Sequence, residues 1–164
     1  MFQNDMSAIG TICIPTYNRG ARLLSMLKEV LPAVNDFWPI LISDNASTSE
    51  LQEYKEVAGI AARHKNVHYS RHSKNLRFEG NLLSFFENVS TQYIVVISDE
   101  DFPCMDGLNS LVPLLSKHRD IGAIRSSMEN TRNGKRSKYS QAVLWEDRTF
   151  LPADCKSIQL FGMV

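Results

Sequence analysis

The chain has 164 residues, of which 43% are hydrophobic and 22% are charged, a composition typical of one soluble globular domain. Its 18 Lys and Arg residues balance its 18 Asp and Glu residues, so the formal net charge is +0 and we expect no nucleic-acid partner. Residues 1–9 lack the segments of a secretory signal, and no apolar run is long enough to span a membrane. The cysteines Cys13, Cys104 and Cys155 are far apart and favour neither a disulfide framework nor a zinc site, so we expect the reducing cytoplasm.

The chain begins with a predicted strand and helix. Ile9–Ile14 is rich in β-branched residues, and we expect Pro15 to end this buried strand because proline cannot donate to a ladder. After a polar turn, apolar residues recur at helical spacing from Leu23 to Leu31, and Pro32 closes the segment. The pattern therefore predicts a strand, a loop and a helix of about three turns.

The same pattern continues along the chain. Pro39–Asp44 is predicted to be a second strand, and Ser47 with Glu50 forms the capping-box pattern typical of a helix start. Val67–Ser70 is a weaker third strand, and Arg71–Arg77 is a basic loop.

A helix is then predicted over Phe78–Val89, and the apolar run Tyr93–Ile97 is the clearest strand in the sequence. We expect Asp106 to cap a further helix that Pro113 kinks or shortens. Ile121–Ile124 is a predicted fifth strand.

Alternating strands and helices predict an α/β fold with an open, mostly parallel sheet and helices on both faces. Beyond residue 126 the pattern weakens into a basic turn or loop, Arg132–Lys138. Sheets of this kind bind ligands at the carboxyl ends of the strands, where the strand order reverses. Polar residues cluster at those predicted ends: Thr16, Tyr17, Asn18, Asp44, Asp99 and Asp101.

The acids Asp99 and Asp101 lie two positions apart where the fourth strand ends, so both carboxylates can converge on one hard cation. Mg²⁺ or Mn²⁺ suits oxygen ligands, with water and substrate phosphate completing the shell. Since two carboxylates alone bind such ions weakly, the pattern favours a nucleotide substrate over metal storage. The alternative from residue types alone is an acidic loop that caps the following helix.

Three blocks occur in order along the chain: Ile12–Arg19, Ile42–Ser47 and Ile97–Asp101. Together they resemble the nucleotide-sugar-binding half of family 2 glycosyltransferases, which implies the GT-A fold with its Rossmann-like nucleotide-binding half. We therefore expect an N-terminal tail over residues 1–8 and a nucleotide-sugar-binding region over residues 9–126. Residues 127–164 would begin an acceptor-side region that is incomplete in this chain.

The resemblance implies roles for individual residues. Thr16 and Tyr17 would line the pocket for the base and ribose of a nucleoside diphosphate sugar, and Asp44 would accept a hydrogen bond from the base. Asp99 would face the ribose or the metal, and Asp101 would bind Mn²⁺ or Mg²⁺ directly. The alternatives are a helix cap for Asp44 and ordinary loop packing for Tyr17.

The segment Asn75–Asn81 lies where the family usually has an Asn-x-Gly loop before a helix, and Arg77 stands where glycine is commoner. A basic loop at a helix start suits phosphate, so Arg77 is our nucleotide-binding candidate, with Arg71 and Lys74 open as alternatives. This loop and the Ser-Asp-Glu-Asp sequence are similar to the branch of the family that transfers deoxysugars in bacterial surface polysaccharides.

The implied reaction is metal-assisted, inverting transfer of a hexose or deoxyhexose to a glycan or lipid-linked acceptor, in the cytoplasm or at the inner face of a membrane with peripheral association. The attack needs a general base, which the family places downstream of the Asp-x-Asp sequence. Glu146–Asp147 is the candidate pair in this chain, and the catalytic residue stays unassigned. Two alternatives remain open: a noncatalytic donor-binding module, and a metal-dependent phosphohydrolase that uses the same acids.

Overall fold

The computed structural model describes residues 7–118, 121, 128–132 and 135–139. The chain divides into two compact units, Met1–Lys117 and His118–Val164. The first unit contains a four-stranded sheet, and the second contains a two-stranded sheet. Most of the predicted fifth strand and the acidic pair Glu146–Asp147 lie outside the described residues.

Strands and helices alternate through the first unit, as the sequence predicts. In chain order they are β1 Gly10–Thr16, α1 Gly20–Val30, β2 Ile40–Asp44, α2 Leu51–Ala61, β3 Val67–Arg71, α3 Arg77–Asn88, β4 Tyr93–Val96 and α4 Met105–Lys117. The four strands are parallel and lie in the order β3-β2-β1-β4. The predicted open parallel α/β sheet is therefore confirmed, and its strand order reverses between β1 and β4.

Apolar side chains cover both faces of this sheet. Cys13 and Leu41 lie opposite each other on β1 and β2, and they pack against Phe85 of α3. Side chains alternate along a strand, so Ile12 and Ile14, both fully buried, face the other side. Right-handed crossovers place α1 and α2 on that side, because the chain moves outward from β1 to β3 before α3 returns it to β4. Burial on both faces explains why the central strands β1 and β2 have nearly continuous apolar sequences.

The first strand does not stop at Pro15, contrary to the sequence prediction. The N–H of Ile12 donates to Pro39 O on the β2 side, so the nitrogen of Pro15, three positions later, faces β4. On the β4 side the ladder ends where Ile97 N–H donates to Cys13 O. Proline therefore removes a donor only from the β4 side, and β1 continues beside β2 as far as Thr16.

The capping box predicted from Ser47 and Glu50 is also wrong. Helix α2 has Glu50 at its N-cap in a left-handed conformation (φ 53°), without a side-chain capping hydrogen bond. The Glu50 carboxylate instead accepts a 2.7 Å hydrogen bond from the N–H of Ala21, in the first turn of α1. Because α1 and α2 are adjacent, Glu50 caps a neighbouring helix, an arrangement that local sequence spacing does not reveal.

Prolines near the helix ends have different effects. Pro32 lies in the short 3₁₀ turn Leu31–Ala33 directly after α1, so the predicted helix end is confirmed. Pro113 lies inside α4, which continues to Lys117 and is not shortened there. Buried Met105 and Leu115 hold the two ends of α4 against the protein, and this packing offsets the local cost of the proline.

The second unit contains the antiparallel strands β5, Met128–Arg132, and β6, Lys135–Tyr139. The sequence prediction of a basic turn or loop is therefore corrected to a hairpin. These strands are rich in charged and polar residues, so they lack the apolar pattern by which the other strands were found. The Asn-Gly pair at positions 133 and 134, a dipeptide typical of two-residue hairpin loops, is the signal that could have revealed them.

We expect Cys13 to resist alkylation in the folded protein. Its side chain is fully buried, and burial raises the pKa of the Cys13 thiol to about 12, so the reactive thiolate is scarce at neutral pH. Iodoacetamide at pH 8 followed by peptide mass spectrometry should label exposed Cys104 and leave Cys13 unmodified until urea is added. Equal labelling of the two thiols in the native protein would contradict this packing of β1.

Candidate functional site

Three of the predicted site residues meet at the carboxyl edge of the sheet. Thr16 at the end of β1 lies opposite Asp44 at the end of β2. Asp99 follows β4 on the other side of β1, and the Thr16 hydroxyl donates a 2.8 Å hydrogen bond to Asp99 Oδ2. Thr16 and Asp99 are each only 3% exposed. This contact spans the position where the strand order reverses, which is where sheets of this type bind ligands.

A tyrosine from α2 supports the Thr16–Asp99 contact. Tyr54 is 2% exposed, and its hydroxyl lies 2.7 Å from Thr16 Oγ1. Thr16 has one hydroxyl proton, which it donates to Asp99, so Tyr54 must donate to Thr16. The Tyr54 oxygen in turn accepts the backbone N–H of Arg19 over 3.1 Å. The hydrogen bonds therefore run from Arg19 through Tyr54 and Thr16 to the Asp99 carboxylate.

The side chain of Arg19 returns to the same carboxylate. Its Nη1 lies 3.3 Å from Asp99 Oδ1 and 3.4 Å from Glu100 Oε1. Arg22, one turn along α1, also pairs with Glu100. The buried Asp99 carboxylate thus has a hydroxyl donor on one oxygen and a guanidinium on the other, which offsets the cost of removing its charge from water.

The Asp44 carboxylate is fully buried and bonded within the protein. Its Oδ1 accepts the N–H of Ser47 over 2.8 Å, and its Oδ2 accepts the Tyr69 hydroxyl over 2.7 Å. Arg71 Nη1 lies 3.3 Å from the same Oδ2. Burial, together with the hydrogen bond to Asp44, raises the pKa of the Tyr69 hydroxyl, so Tyr69 stays a donor at neutral pH. Since α2 begins only at Leu51, Asp44 stabilises the loop and does not cap the helix.

The loop before α3 is tied to the loop after β2 by one amide side chain. Asn45 Oδ1 accepts the N–H of Leu76 over 2.8 Å, and Asn45 Nδ2 donates to Arg77 O over 3.0 Å. Arg77 has a positive φ of 62°, in the left-handed region that glycine adopts most easily. This backbone conformation gives a physical reason why glycine is commoner at that position in the family.

The remaining predicted residues are more open. Tyr17 is 42% exposed, and Asp101 and Arg77 are also exposed at the surface. The backbone N–H of Asp101 donates to Ser98 O over 3.2 Å, which closes a turn after β4. The structure therefore joins Thr16 and Asp99 directly, whereas Tyr17 and Asp101 lie on the loops after β1 and β4 and Arg77 begins α3.

The donor set fits a hard divalent cation only when other oxygens complete its coordination. Within the described part of the chain, no group of three His, Cys, Asp or Glu side chains could hold a metal ion. Asp99 and Asp101 can supply carboxylate oxygens, and each Asp99 oxygen accepts one protein hydrogen bond, which leaves a further lone pair. Phosphate and water oxygens would have to provide the other ligands of Mg²⁺ or Mn²⁺.

Comparison with known families matches residues 11–162 to the model of Glycosyl transferase family 2. The chain belongs to this family. None of the curated proteins matches it in sequence. In the described ranges, no helix has both the length and the apolar character needed to cross a membrane.

Solved structures of glycosyltransferases share the fold at low sequence identity. One is the mannosyltransferase PcManGT from Pyrobaculum calidifontis in complex with GDP-Man and Mn²⁺, with a TM-score of 0.55 and 18% identity over 66% of this chain and 32% of that one. Another is S. aureus TarS 1-349, with a TM-score of 0.55 and 15% identity over 68% of this chain and 33% of that one. The same TarS fragment in complex with UDP-GlcNAc matches with a TM-score of 0.53. The chain thus spans about a third of the length of these structures.

Sequence reasoning missed three residues of the candidate site. The spacing of Tyr54 fits the apolar face of α2, although a buried tyrosine hydroxyl also needs a hydrogen-bond partner. Arg19 is the last residue of the first family block, and the third block is acidic. The opposite charges of these two blocks were the sequence signal for an ion pair. Asn45 occurs in the second family block, but its contacts depend on the packing of a loop about 30 residues away, and no spacing rule predicts them.

We expect Tyr54→Phe to lower the free energy of unfolding by about 1–2 kcal/mol, because Thr16 and the Arg19 N–H lose a buried partner. Urea denaturation followed by circular dichroism measures this change. The control is Tyr93→Phe, whose hydroxyl contacts the exposed Gln92 amide and should change stability by less than about 0.5 kcal/mol. Equal stability of Tyr54→Phe and the unchanged protein would contradict the hydrogen-bond chain.

Proposed function

We propose that this chain forms the donor-binding part of a metal-dependent glycosyltransferase that uses a nucleoside diphosphate sugar. Membership of Glycosyl transferase family 2 supports the reaction class. The likeness to PcManGT, whose structure contains GDP-Man and Mn²⁺, supports a nucleotide donor and a divalent cation.

The Thr16–Asp99 hydrogen bond is the observation on which the proposal depends. It holds an acid at the carboxyl edge of the sheet, between the two strands where the order reverses. Asp99 is 3% exposed and its carboxylate accepts hydrogen bonds from two protein donors, so its position is defined within a narrow range. A loop acid that only caps a helix would not need this degree of support, because surface water could satisfy it.

Each residue at the edge has a proposed role toward the donor. Asp101, exposed on the turn after β4, would bind the cation directly, and Asp99 would bind the cation or the ribose. The cation would stabilise the charge that develops on the departing nucleoside diphosphate. Thr16 holds Asp99 in place, and exposed Tyr17 offers a ring face to the base or ribose.

The loops after β2 and β3 would form the rest of the donor pocket. We propose that Asp44 accepts a hydrogen bond from the base through the lone pair that Oδ1 keeps beyond its bond to Ser47, which requires the loop that buries this carboxylate to open. Arg77, exposed at the start of α3, would contact the diphosphate, and the left-handed backbone there sets the direction in which α3 begins.

In the proposed reaction, an acceptor hydroxyl attacks the anomeric carbon from the face opposite the diphosphate. A bond forms between the acceptor oxygen and that carbon, the bond from the carbon to the diphosphate oxygen breaks, and configuration inverts. The hydroxyl proton passes to a general base, for which Glu146–Asp147 is the candidate from sequence. The acceptor we propose is a hydroxyl of a glycan or of a lipid-linked acceptor.

The test is calorimetric titration of GDP, UDP, dTDP and CDP into the purified chain, with and without Mn²⁺. One nucleotide should bind in a Mn²⁺-dependent manner, and Asp101→Asn should weaken that binding at least about tenfold because a direct metal ligand is lost. The bound base then defines the nucleotide sugars to screen for transfer.

The matched control is Asp36→Asn, which changes the same functional group near the amino ends of the strands, where Asp36 pairs with Lys65. It should leave nucleotide affinity unchanged. Failure of every nucleotide to bind a folded sample would overturn the donor-site proposal. Donor binding without sugar transfer to any acceptor would favour the noncatalytic module, and phosphate release from a simple ester would favour the phosphohydrolase.

A further inference from the structure

A cation from the chain itself occupies the acidic edge of the proposed donor site. The Arg19 guanidinium lies between Asp99 and Glu100, at 3.3 Å and 3.4 Å from their nearest oxygens. Both contacts use the same nitrogen, Nη1, so one positive charge serves two carboxylates. Since Arg22 also pairs with Glu100, Asp99 and Glu100 each have a guanidinium partner from the chain itself.

Arg19 is anchored at its backbone and open at its side chain. Its N–H is fixed to the buried Tyr54 hydroxyl, whereas its side chain is 49% exposed. The long side chain can therefore leave the acids without disturbing β1, α1 or the Thr16–Asp99 hydrogen bond. Asp99 cannot move in the same way, because it is 3% exposed and held by Thr16.

The geometry also makes Arg19 and a divalent cation compete for the Asp99 carboxylate. Arg19 pairs with Asp99 Oδ1, whereas buried Thr16 donates to Oδ2, so Oδ1 is the oxygen whose donor can move away to admit a metal. A guanidinium and a divalent cation repel each other strongly within a few ångströms, so each weakens the binding of the other to this carboxylate.

We propose that Arg19 is a place-holding cation. In the metal-free protein it offsets the negative charge of Asp99 and Glu100, and it must move away when Mn²⁺ or Mg²⁺ binds. This inference rests on the proposed function, because it takes Asp99 to lie beside the metal. In this role Arg19 stabilises the metal-free site and lowers the intrinsic affinity of that site for metal. A residue that only positions a metal ligand would raise that affinity. The site then binds its cation well only when a diphosphate brings further negative charge.

The experiment measures Mn²⁺ binding without nucleotide, from the loss of the free-ion electron paramagnetic resonance signal at pH 7.5. Arg19→Gln removes the competing charge and should bind Mn²⁺ about three- to tenfold more tightly than the unchanged protein. A residue that only positions Asp99 would give the opposite result, since its loss would disorder the ligand and weaken metal binding.

Two further variants separate local competition from a change in net charge. Lys28→Gln removes one positive charge from the other end of α1, where Lys28 pairs with Glu56, and should leave Mn²⁺ affinity within about twofold. Arg19→Lys keeps the charge beside Asp99 and should restore an affinity close to that of the unchanged protein. Circular dichroism and thermal melting confirm that each variant is folded.

The outcomes distinguish this inference from the proposed function. Weaker or unchanged Mn²⁺ binding by Arg19→Gln, while the unchanged protein still binds a nucleotide with Mn²⁺, overturns the place-holding role alone. Absence of any Mn²⁺ binding, with or without nucleotide, overturns the metal-dependent function and this inference with it. Tighter Mn²⁺ binding by Lys28→Gln to the same extent would also overturn it, because a general charge effect would then suffice.

Discussion

One hydrogen bond, from the Thr16 hydroxyl to the Asp99 carboxylate, connects the two strands between which the sheet reverses its order. The contact requires a strand that continues past Pro15, an acid that follows β4, and a tyrosine on α2 that supplies the second partner of Thr16. Elements distant in sequence therefore meet at one carboxylate. The chemistry of the candidate site depends on the contacts between these elements more than on any single loop.

The loops around this carboxylate are held in conformations that cost free energy. Non-glycine residues with positive φ in the described chain are Asn18, Ala46, Glu50 and Arg77, and all four lie in connections at the carboxyl ends of β1, β2 and β3. Each such residue costs on the order of 1 kcal/mol, which side-chain bonds from Asn45 and Asn18 offset. The apolar sheet thus supports a strained polar edge, as is common at binding sites.

The elements that the sequence predicted well are those with strong periodicity. Buried parallel strands carry unbroken apolar runs, and the helices carry an apolar stripe, so both were placed to within a few residues. The polar hairpin β5–β6 has no such pattern and was missed. Local spacing also failed for Glu50, whose carboxylate serves α1 instead of the helix that it precedes. The site residues Thr16, Asp44 and Asp99 were located because strand ends can be predicted, whereas the contributions of Tyr54 and Arg19 depend on how separate elements pack.

Pro15 has a further consequence for the shape of the edge. In a parallel ladder, a residue that donates its N–H to one carbonyl accepts at its own carbonyl from the N–H two positions further along the neighbouring strand. Ile97 donates to Cys13 O, so its partner would be the nitrogen of Pro15, which has no hydrogen. Pro15 therefore removes one hydrogen bond from the ladder between β1 and β4, just beyond Cys13. The pairing with β4 accordingly ends at Cys13, while β1 itself continues to Thr16. Beyond the last backbone bond, the two strand ends are joined by side chains, through the hydroxyl of Thr16 and the carboxylate of Asp99.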